Sequence, residues 1–299
     1  MRQVFLLFCL LTGLWSCDKN EVISPQTAQG LEGTGLYHFK AYPNLAAGGL
    51  PVFYHVPADL PANAPVLIVF HGNGRDAEYS RDQLIAKANR LKFALVVPEF
   101  SSDAYPGGDK YNLGNIFEDG DHPSESTLNP KEEWTFSVIE PLFENFKTRT
   151  GLSTTQFDVF GHSAGAHLAG EIIGRNFFGR EKDHSRLKGS ILLSGIYEPE
   201  VVLHLDVNED IKLDREMAFK CNLINKPPLC ESPILVCVGG DEPEGWIDQS
   251  RSYFELCDSQ NIKVDFKIVE GTNHFSLLDH AMSEDYELNK KIIKFIENQ

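Results

Sequence analysis

Residues 157–167 carry the pattern that decides the fold, Phe-Asp-Val-Phe-Gly-His-Ser-Ala-Gly-Ala-His. An apolar, strand-like run ends at Gly161, Ser163 stands in a Gly-x-Ser-x-Gly sequence, and an alanine-rich helical segment follows at once. Such a strand-to-helix turn exposes the serine at the end of a sheet and points helix N-terminal N–H groups at an oxyanion beside it. The pattern favours a nucleophilic serine. An ordinary Gly-rich turn also fits unless the chain supplies a base, an acid and an oxyanion hole.

Outward from this stretch, apolar runs alternate with segments of helical spacing. Predicted strands cover residues 50–56, 66–70, 93–98, 157–161, 190–194, 234–238 and 264–269. Predicted helices cover residues 77–91, 131–149 with a kink at Pro141, 246–256 and 283–297. Continuously apolar strands separated by helices are typical of a mostly parallel sheet with helices on both faces, so the fold class is α/β. Long irregular segments at residues 99–130 and 198–229 are predicted to set specificity.

His274 is the predicted base for Ser163. It follows the last predicted strand in a loop, where an imidazole reaches across the carboxyl edge of the sheet. His280 is the alternative, although its place near a helix suits a surface or capping role better. His162 and His167 flank the serine too closely along the chain to serve as its base.

Asp241 is the predicted acid, because a histidine base needs a carboxylate that fixes its tautomer. It follows two glycines at the end of a predicted strand, where the chain turns over the edge of the sheet. Glu242 and Glu244 are interpreted as ordinary loop acids. The chain order Ser163, Asp241, His274 is nucleophile, acid, base.

Two backbone N–H groups are predicted to form the oxyanion hole. One belongs to Ala164, which follows the nucleophile. The other belongs to Asn73 in the loop His71, Gly72, Asn73, Gly74, which follows a buried strand and resembles the His-Gly-Gly-Gly loop of esterases and lipases. Asn73 replaces a glycine there, but the donor is backbone, so the side chain does not decide the function.

Charge and composition exclude several classes of function. The 299 residues carry a formal net charge of −16 with 42% hydrophobic residues, which fits a globular chain that does not bind nucleic acid or anionic membrane surfaces. No Cys-x-x-Cys or His-Glu-x-x-His spacing occurs, so neither a metal nor another cofactor is predicted. The expected partner is a small-molecule substrate.

The N-terminus is predicted to be a lipoprotein-type signal over residues 1–16. Arg2 precedes an apolar stretch too short to span a bilayer, and the stretch ends in a lipoprotein-box-like sequence before Cys17. Cys17 is then the lipidated first residue, residues 17–31 a tether, and residues 32–299 one catalytic domain. The expected location is the bacterial cell envelope, exported and lipid-anchored. A plain secretory signal cleaved nearby is the alternative.

Export changes the interpretation of the cysteines. Cys221 and Cys230 bracket a Pro-Pro loop and could be joined in an oxidising compartment, which the sequence leaves open. Cys237 and Cys257 lie in strand and helix patterns and are predicted core thiols.

From about Val66 to Ile296 the chain resembles the α/β-hydrolase superfamily. Likeness to kynurenine formamidases (arylformamidases) and carboxylesterases is carried by residues 161–169, 194–197, 208–214, 238–242 and 274–278. Likeness to exported hydrolases related to polyhydroxybutyrate depolymerases and feruloyl esterases is carried by residues 97–100, 111–115 and 133–136. Formamidases have His-Gly-Gly-x-Trp in the oxyanion loop, whereas Gly74 and Arg75 stand at the last two positions here.

The resemblance implies a serine hydrolase that cleaves small or aryl acyl esters through an acyl-enzyme. The alternatives are an arylformamidase and a non-catalytic binding lipoprotein on a hydrolase scaffold. Relatives of the last kind usually lose the serine, the histidine or the elbow glycines, all of which are present here.

Overall fold

The computed structural model describes residues 30–42, 45, 48–106, 110–112, 114–119, 127–174 and 186–298. The predicted export signal, the lipidation site Cys17 and all but residues 30–31 of the predicted tether lie outside the described residues.

Eight strands form one sheet in the order β1-β2-β4-β3-β5-β6-β7-β8. They are β1 Gly33–Phe39, β2 Leu50–Val56, β3 Val66–Phe70, β4 Ala94–Pro98, β5 Phe157–His162, β6 Leu187–Leu193, β7 Ile234–Gly239 and β8 Val264–Val269. The β1–β2 and β2–β4 pairs are antiparallel, and every pair from β4 to β8 is parallel. The predicted mostly parallel sheet is confirmed, and the carboxyl ends of its parallel strands share one edge.

Eight α-helices accompany the sheet in the described part of the chain. They are α1 Ala77–Leu91, α2 Ile139–Thr150, α3 Ala164–Gly174, α4 Asn208–Ile211, α5 Arg215–Cys221, α6 Glu244–Ser259, α7 Ser276–Met282 and α8 Glu287–Glu297. One apolar core takes residues from α1, α7 and α8, and the other from α2, α3, α5 and α6. Helices therefore cover both faces, as predicted. No helix within these ranges is both long enough and apolar enough to cross a bilayer.

The strand that the sequence analysis missed is β1, at the edge of the sheet. Its burial alternates between exposed and buried residues, and it pairs with β2 alone. Two glycines and a single buried face give it no continuous apolar run, which is the pattern that identified the central strands.

Two predicted helices begin later than expected. Short 3-10 turns occupy Lys131–Glu133 and Thr135–Val138, and α2 starts only at Ile139. Pro141 therefore falls in the first turn of α2, where a missing N–H costs no intrahelical hydrogen bond, so the predicted kink has no cause. At the C-terminus, α8 starts at Glu287 rather than at residue 283.

All four cysteines in the described residues are buried, and none of these four is joined to another by a disulfide. The bridge between Cys221 and Cys230 that the sequence left open is therefore not formed here. Cys237 on β7 and Cys257 on α6 belong to the cores, in keeping with their apolar surroundings in the sequence.

Candidate active site

The turn between β5 and α3 has the geometry that its sequence predicts. Ser163 adopts a left-handed φ of 58°, and its N–H donates to the carbonyl of Leu193 at 3.0 Å. A Cβ at Gly161 would lie 2.3 Å from the carbonyl oxygen of Gly165, and one at Gly165 would lie 2.2 Å from that of Phe70. Both contacts are closer than real Cβ atoms approach, so both positions require glycine. Ser163 is half-buried and directly follows the last residue of β5, at the carboxyl end of the strand.

His274 lies in the loop between β8 and α7, at the same edge of the sheet as Ser163. The neighbour of that serine, His162, donates from Nε2 to the carbonyl oxygen of His274 at 2.7 Å, and the two rings are 4.7 Å apart. Ser163 and His274 are not hydrogen-bonded to each other among the described contacts, and catalytic hydrogen bonds often tighten only with substrate. The alternative base, His280, instead stacks on Tyr286 with ring centroids 3.6 Å apart.

Glu242, rather than the predicted Asp241, supplies the carboxylate beside His274. Its Oε2 lies 2.9 Å from Nδ1 of His274, and its Oε1 accepts the N–H of Gly239 at 2.8 Å. The side chain of Asp241 is exposed, while its N–H donates to the carbonyl of Thr272 at 2.9 Å. This turn of the backbone aims the second residue after Gly240 inward, so Glu242, and not the predicted Asp241, stands beside His274.

The charge of Glu242 is maintained by its hydrogen bonds. Burial alone would raise its pKa, but hydrogen bonds from His274, Ser194 and the Gly239 N–H outweigh burial and hold the pKa below its usual value. His162 is different, because burial and the nearby His274 ring lower its pKa to about 4. At neutral pH the pair beside His274 is therefore an ionised carboxylate and an uncharged imidazole.

The predicted oxyanion loop lies against the elbow. A Cβ built on Gly72 would stand 3.7 Å from the Cβ of Ser163, which places this loop in van der Waals range of the nucleophile. Among the described residues, the N–H groups of Asn73 and Ala164 donate to no protein acceptor. Two uncommitted donors near the serine fit an oxyanion hole. A Cβ built on Gly74 would meet no atom within 4 Å, so contacts do not require glycine at this position.

His71 supports this loop as a buried, neutral ring. The N–H of Phe100 donates to its Nε2 at 3.1 Å, so Nδ1 carries the proton and donates to the carbonyl of Gly72 at 2.9 Å. Burial lowers the pKa of His71 to about 4. The Tyr111 hydroxyl donates to the His71 carbonyl at 2.5 Å, and the Arg75 guanidinium lies over the Tyr111 ring at 4.4 Å. These contacts hold the predicted oxyanion loop in place.

An apolar cavity of about 30 Å³ opens beside Ala164. Its walls come from both segments that were predicted to set specificity, from the start of α3 and from the loop after β6. They are Asn112, Ala164, His167, Ile196, Pro199, Val202, Ile211, Leu213 and Cys221. Asn112 donates from Nδ2 to Oδ1 of Asn73 at 3.0 Å, which ties the cavity to the oxyanion loop. Its own Oδ1 is buried and accepts no hydrogen bond from the described residues.

No group of three or more His, Cys, Asp or Glu side chains in the described residues is arranged to hold a metal ion.

The sequence did not predict the contacts that three residues make in this site. Glu242 was treated as a loop acid because its direction depends on the turn after β7. Ser194 contacts both Glu242 and His274, yet only its place after β6 could have signalled it. His162 donates a hydrogen bond to the backbone of His274, which its position next to Ser163 in the sequence does not indicate.

Sequence comparison finds partial relatives of known activity. The chain is 35% identical over 144 residues to kynurenine formamidase of Danio rerio, covering 46% of this chain and 48% of that protein. It is 32% identical over 122 residues to poly(3-hydroxyalkanoate) depolymerase C of Paucimonas lemoignei, covering 40% and 27%. The chain thus matches at most about half the length of these relatives. It matches no established protein-family profile.

Structure comparison covers most of the chain. Poly(aspartic acid) hydrolase-1 of Sphingomonas sp. KT-1 superposes with a TM-score of 0.61 at 20% identity, over 84% of this chain and 97% of that one. The LpqC poly(3-hydroxybutyrate) depolymerase of Bordetella parapertussis gives 0.58 at 18%, over 83% and 87%. Acylaminoacyl peptidase of Pyrococcus horikoshii gives 0.65 at 14%, over 89% and 42%. At these identities the likeness establishes the fold.

Proposed function

We propose from its site that this chain is a serine hydrolase of the α/β-hydrolase superfamily, cleaving carboxylic esters through an acyl-enzyme. One observation carries the proposal: an elbow serine with left-handed φ lies at the same sheet edge as a histidine whose Nδ1 is 2.9 Å from a buried carboxylate. That set supplies a nucleophile, a base and an orienting acid.

The proposed reaction follows from these positions. Ser163 attacks the ester carbonyl while Nε2 of His274 takes its proton, and Glu242 stabilises the resulting imidazolium through Nδ1–H. The N–H groups of Asn73 and Ala164 hold the oxyanion. His274 then protonates the leaving alcohol, and a water deprotonated by the same ring attacks the acyl-enzyme to release the acid and free serine.

The cavity beside Ala164 supports a short acyl chain as substrate. By the same measure of volume a single water needs at least about 10–15 Å³, so a cavity of about 30 Å³ holds only a few carbon atoms. Its apolar walls favour an alkyl group over a charged one. Val202 and Leu213 are two of its apolar wall residues, which makes them residues to shorten in a specificity test.

Formamide hydrolysis is the second candidate, because the formamidase of Danio rerio matches this chain at 35% identity. The buried Oδ1 of Asn112 supports it, since an acceptor without a partner beside the oxyanion loop suits the N–H of an amide substrate. The oxyanion loop has Arg75 where formamidases have tryptophan, which favours the ester proposal.

The test is hydrolysis of p-nitrophenyl acetate, butyrate and octanoate beside N-formylkynurenine. Wild type should turn over the two short esters and lose this activity in Ser163→Ala, whereas Ser259→Ala, on an exposed serine of α6, should match wild type. A fluorophosphonate should label wild type and not Ser163→Ala. Preferred cleavage of N-formylkynurenine would select the second candidate, and an unlabelled, inactive wild type would refute both.

We also propose that the chain is exported and anchored by a lipid on Cys17. The support is the sequence of residues 1–17 alone.

A further inference from the structure

A buried serine lies against both members of the carboxylate–histidine pair. Ser194 follows the last residue of β6 and is fully buried. Its Oγ lies 2.5 Å from Oε2 of Glu242 and 2.7 Å from Nδ1 of His274. We propose that Ser194 is a positioning residue for the hydrolytic reaction, holding Glu242 and His274 in their working arrangement. This inference rests on the proposed function.

The protons of the three groups are consistent with that role. The Ser194 hydroxyl donates to Oε2 of Glu242, and the Nδ1–H of His274 is shared between that carboxylate oxygen and the lone pair of the hydroxyl. With the Gly239 N–H on Oε1, each carboxylate oxygen receives a donor and the carboxylate plane is fixed. The arrangement holds the histidine proton on Nδ1, which leaves Nε2 as the base.

The backbone at Ser194 points to the same conclusion. Its φ is 46°, in the left-handed region where glycine is preferred and other residues are strained. The conformation is held by its N–H, which donates to the carbonyl of Cys237 at 2.7 Å, and by its carbonyl, which accepts from Nε1 of Trp246 at 3.5 Å. Glycine would suit this backbone better, so the serine is explained by what its hydroxyl contacts.

Ser194 contacts no predicted reacting atom, so it acts through its neighbours. Without the hydroxyl, Glu242 loses one of the hydrogen bonds that keep its pKa low, and the ring of His274 loses a lateral contact. A less fixed acid and base should slow the chemical step more than they weaken substrate binding. Loss of this hydrogen bond should also let Glu242 take up a proton at a higher pH, so activity should fall at a higher pH on the acidic side.

The experiment compares Ser194→Ala, Ser194→Gly and Ser190→Ala with wild type on p-nitrophenyl acetate. Ser190 is the matched control, because it is fully buried on the same strand and its hydroxyl has no partner among the described residues. Both Ser194 variants should lose about 10- to 100-fold in kcat, with KM changed less than about threefold. Their acidic limb of kcat/KM should move to higher pH. Ser190→Ala should keep the wild-type profile.

Comparing alanine with glycine at Ser194 separates the effect of losing the hydroxyl from the effect of the strained backbone. Ser194→Gly relieves the left-handed strain and still removes the hydroxyl, so wild-type kcat in this variant would overturn the proposal. An unchanged acidic limb in both Ser194 variants would overturn it as well.

A readout without turnover separates this inference from the proposed function. In ¹⁵N-labelled protein, the Nδ1–H resonance of His274, assigned by its loss in His274→Gln, should move upfield and exchange faster with water in Ser194→Ala. An unchanged resonance would refute the positioning role even if wild type is an active esterase. A changed resonance in a protein without serine-dependent activity would refute the proposed function alone.

Discussion

The carboxylate of Glu242 lies 2.9 Å from Nδ1 of His274, whereas the side chain of Asp241 is exposed. The turn after β7 produces this difference. Its N–H groups at Gly240 and Asp241 donate to the carbonyls of Val269, the last residue of β8, and of Thr272 just after it. These two hydrogen bonds lock the turn so that the glutamate faces inward. The carboxylate beside His274 is therefore one residue later, and one methylene longer, than the predicted Asp241.

This relationship predicts opposite results at two adjacent residues. Glu242→Gln should lower kcat/KM for p-nitrophenyl acetate by about 10³- to 10⁴-fold, because the amide cannot stabilise the imidazolium and favours the wrong tautomer. Asp241→Asn should stay within about threefold of wild type, because its side chain faces solvent. Steady-state kinetics on both variants tests these two expectations, and circular dichroism verifies that each variant is folded. Loss in Asp241→Asn with full activity in Glu242→Gln would restore the acid predicted from the sequence.

The elbow glycines provide a second prediction. A Cβ at Gly165 would lie 2.2 Å from the carbonyl oxygen of Phe70, so Gly165→Ala must displace the strand, the helix or both. We expect a loss of at least about 3 kcal/mol in unfolding free energy, or insoluble protein. Gly74→Ala is the matched control, because no atom lies within 4 Å of its added Cβ. Urea unfolding followed by fluorescence measures both. Equal stabilities would mean that the turn is wider than described.

The elbow and the central strands are local features, and this is why the sequence sufficed for them. Gly-x-Ser-x-Gly after a buried strand specifies a turn whose geometry depends on its own glycines. The carboxylate beside His274 is different, because Asp241 and Glu242 stand in the same loop. Only the hydrogen bonds to the end of β8 and the residues after it decide which side chain points inward. Ser194 is further removed, since its role exists only where the ends of β6, β7 and the loop after β8 converge.

Lipidation at Cys17 is the prediction that depends on the sequence alone. In bacteria fed an alkyne analogue of palmitate, the full chain should take up label and remain with the membrane fraction. Cys17→Ala should lose the label, whereas Cys9→Ala, within the predicted signal, should retain it. Click chemistry with a fluorophore and gel analysis reports the label. A wild-type chain that is unlabelled and released into the soluble periplasmic or external fraction would select the plain secretory signal.

Asp158 on β5 predicts an unusual dependence of stability on pH. Its side chain is buried, its Oδ1 has no partner among the described residues, and burial raises its pKa to about 7 despite the opposing effect of Lys188. The unfolded chain ionises this group near its ordinary pKa, so the folded state binds the extra proton between about pH 4 and pH 7. The contribution of Asp158 to stability is therefore lost as pH rises through this window and stays constant above it.

Removing the charge should remove this dependence. The gap in unfolding free energy between Asp158→Asn and wild type should shift in favour of the variant by about 2–4 kcal/mol from pH 4 to pH 8. The amide adds donors that lack partners, which lowers stability similarly at both pH values, so the shift between them is the informative quantity. Asp248→Asn, at an exposed position on α6, should leave the wild-type pH dependence unchanged. Urea unfolding at pH 4, 6 and 8 gives the measurement, and parallel curves for wild type and Asp158→Asn would show that folding does not raise the pKa of Asp158.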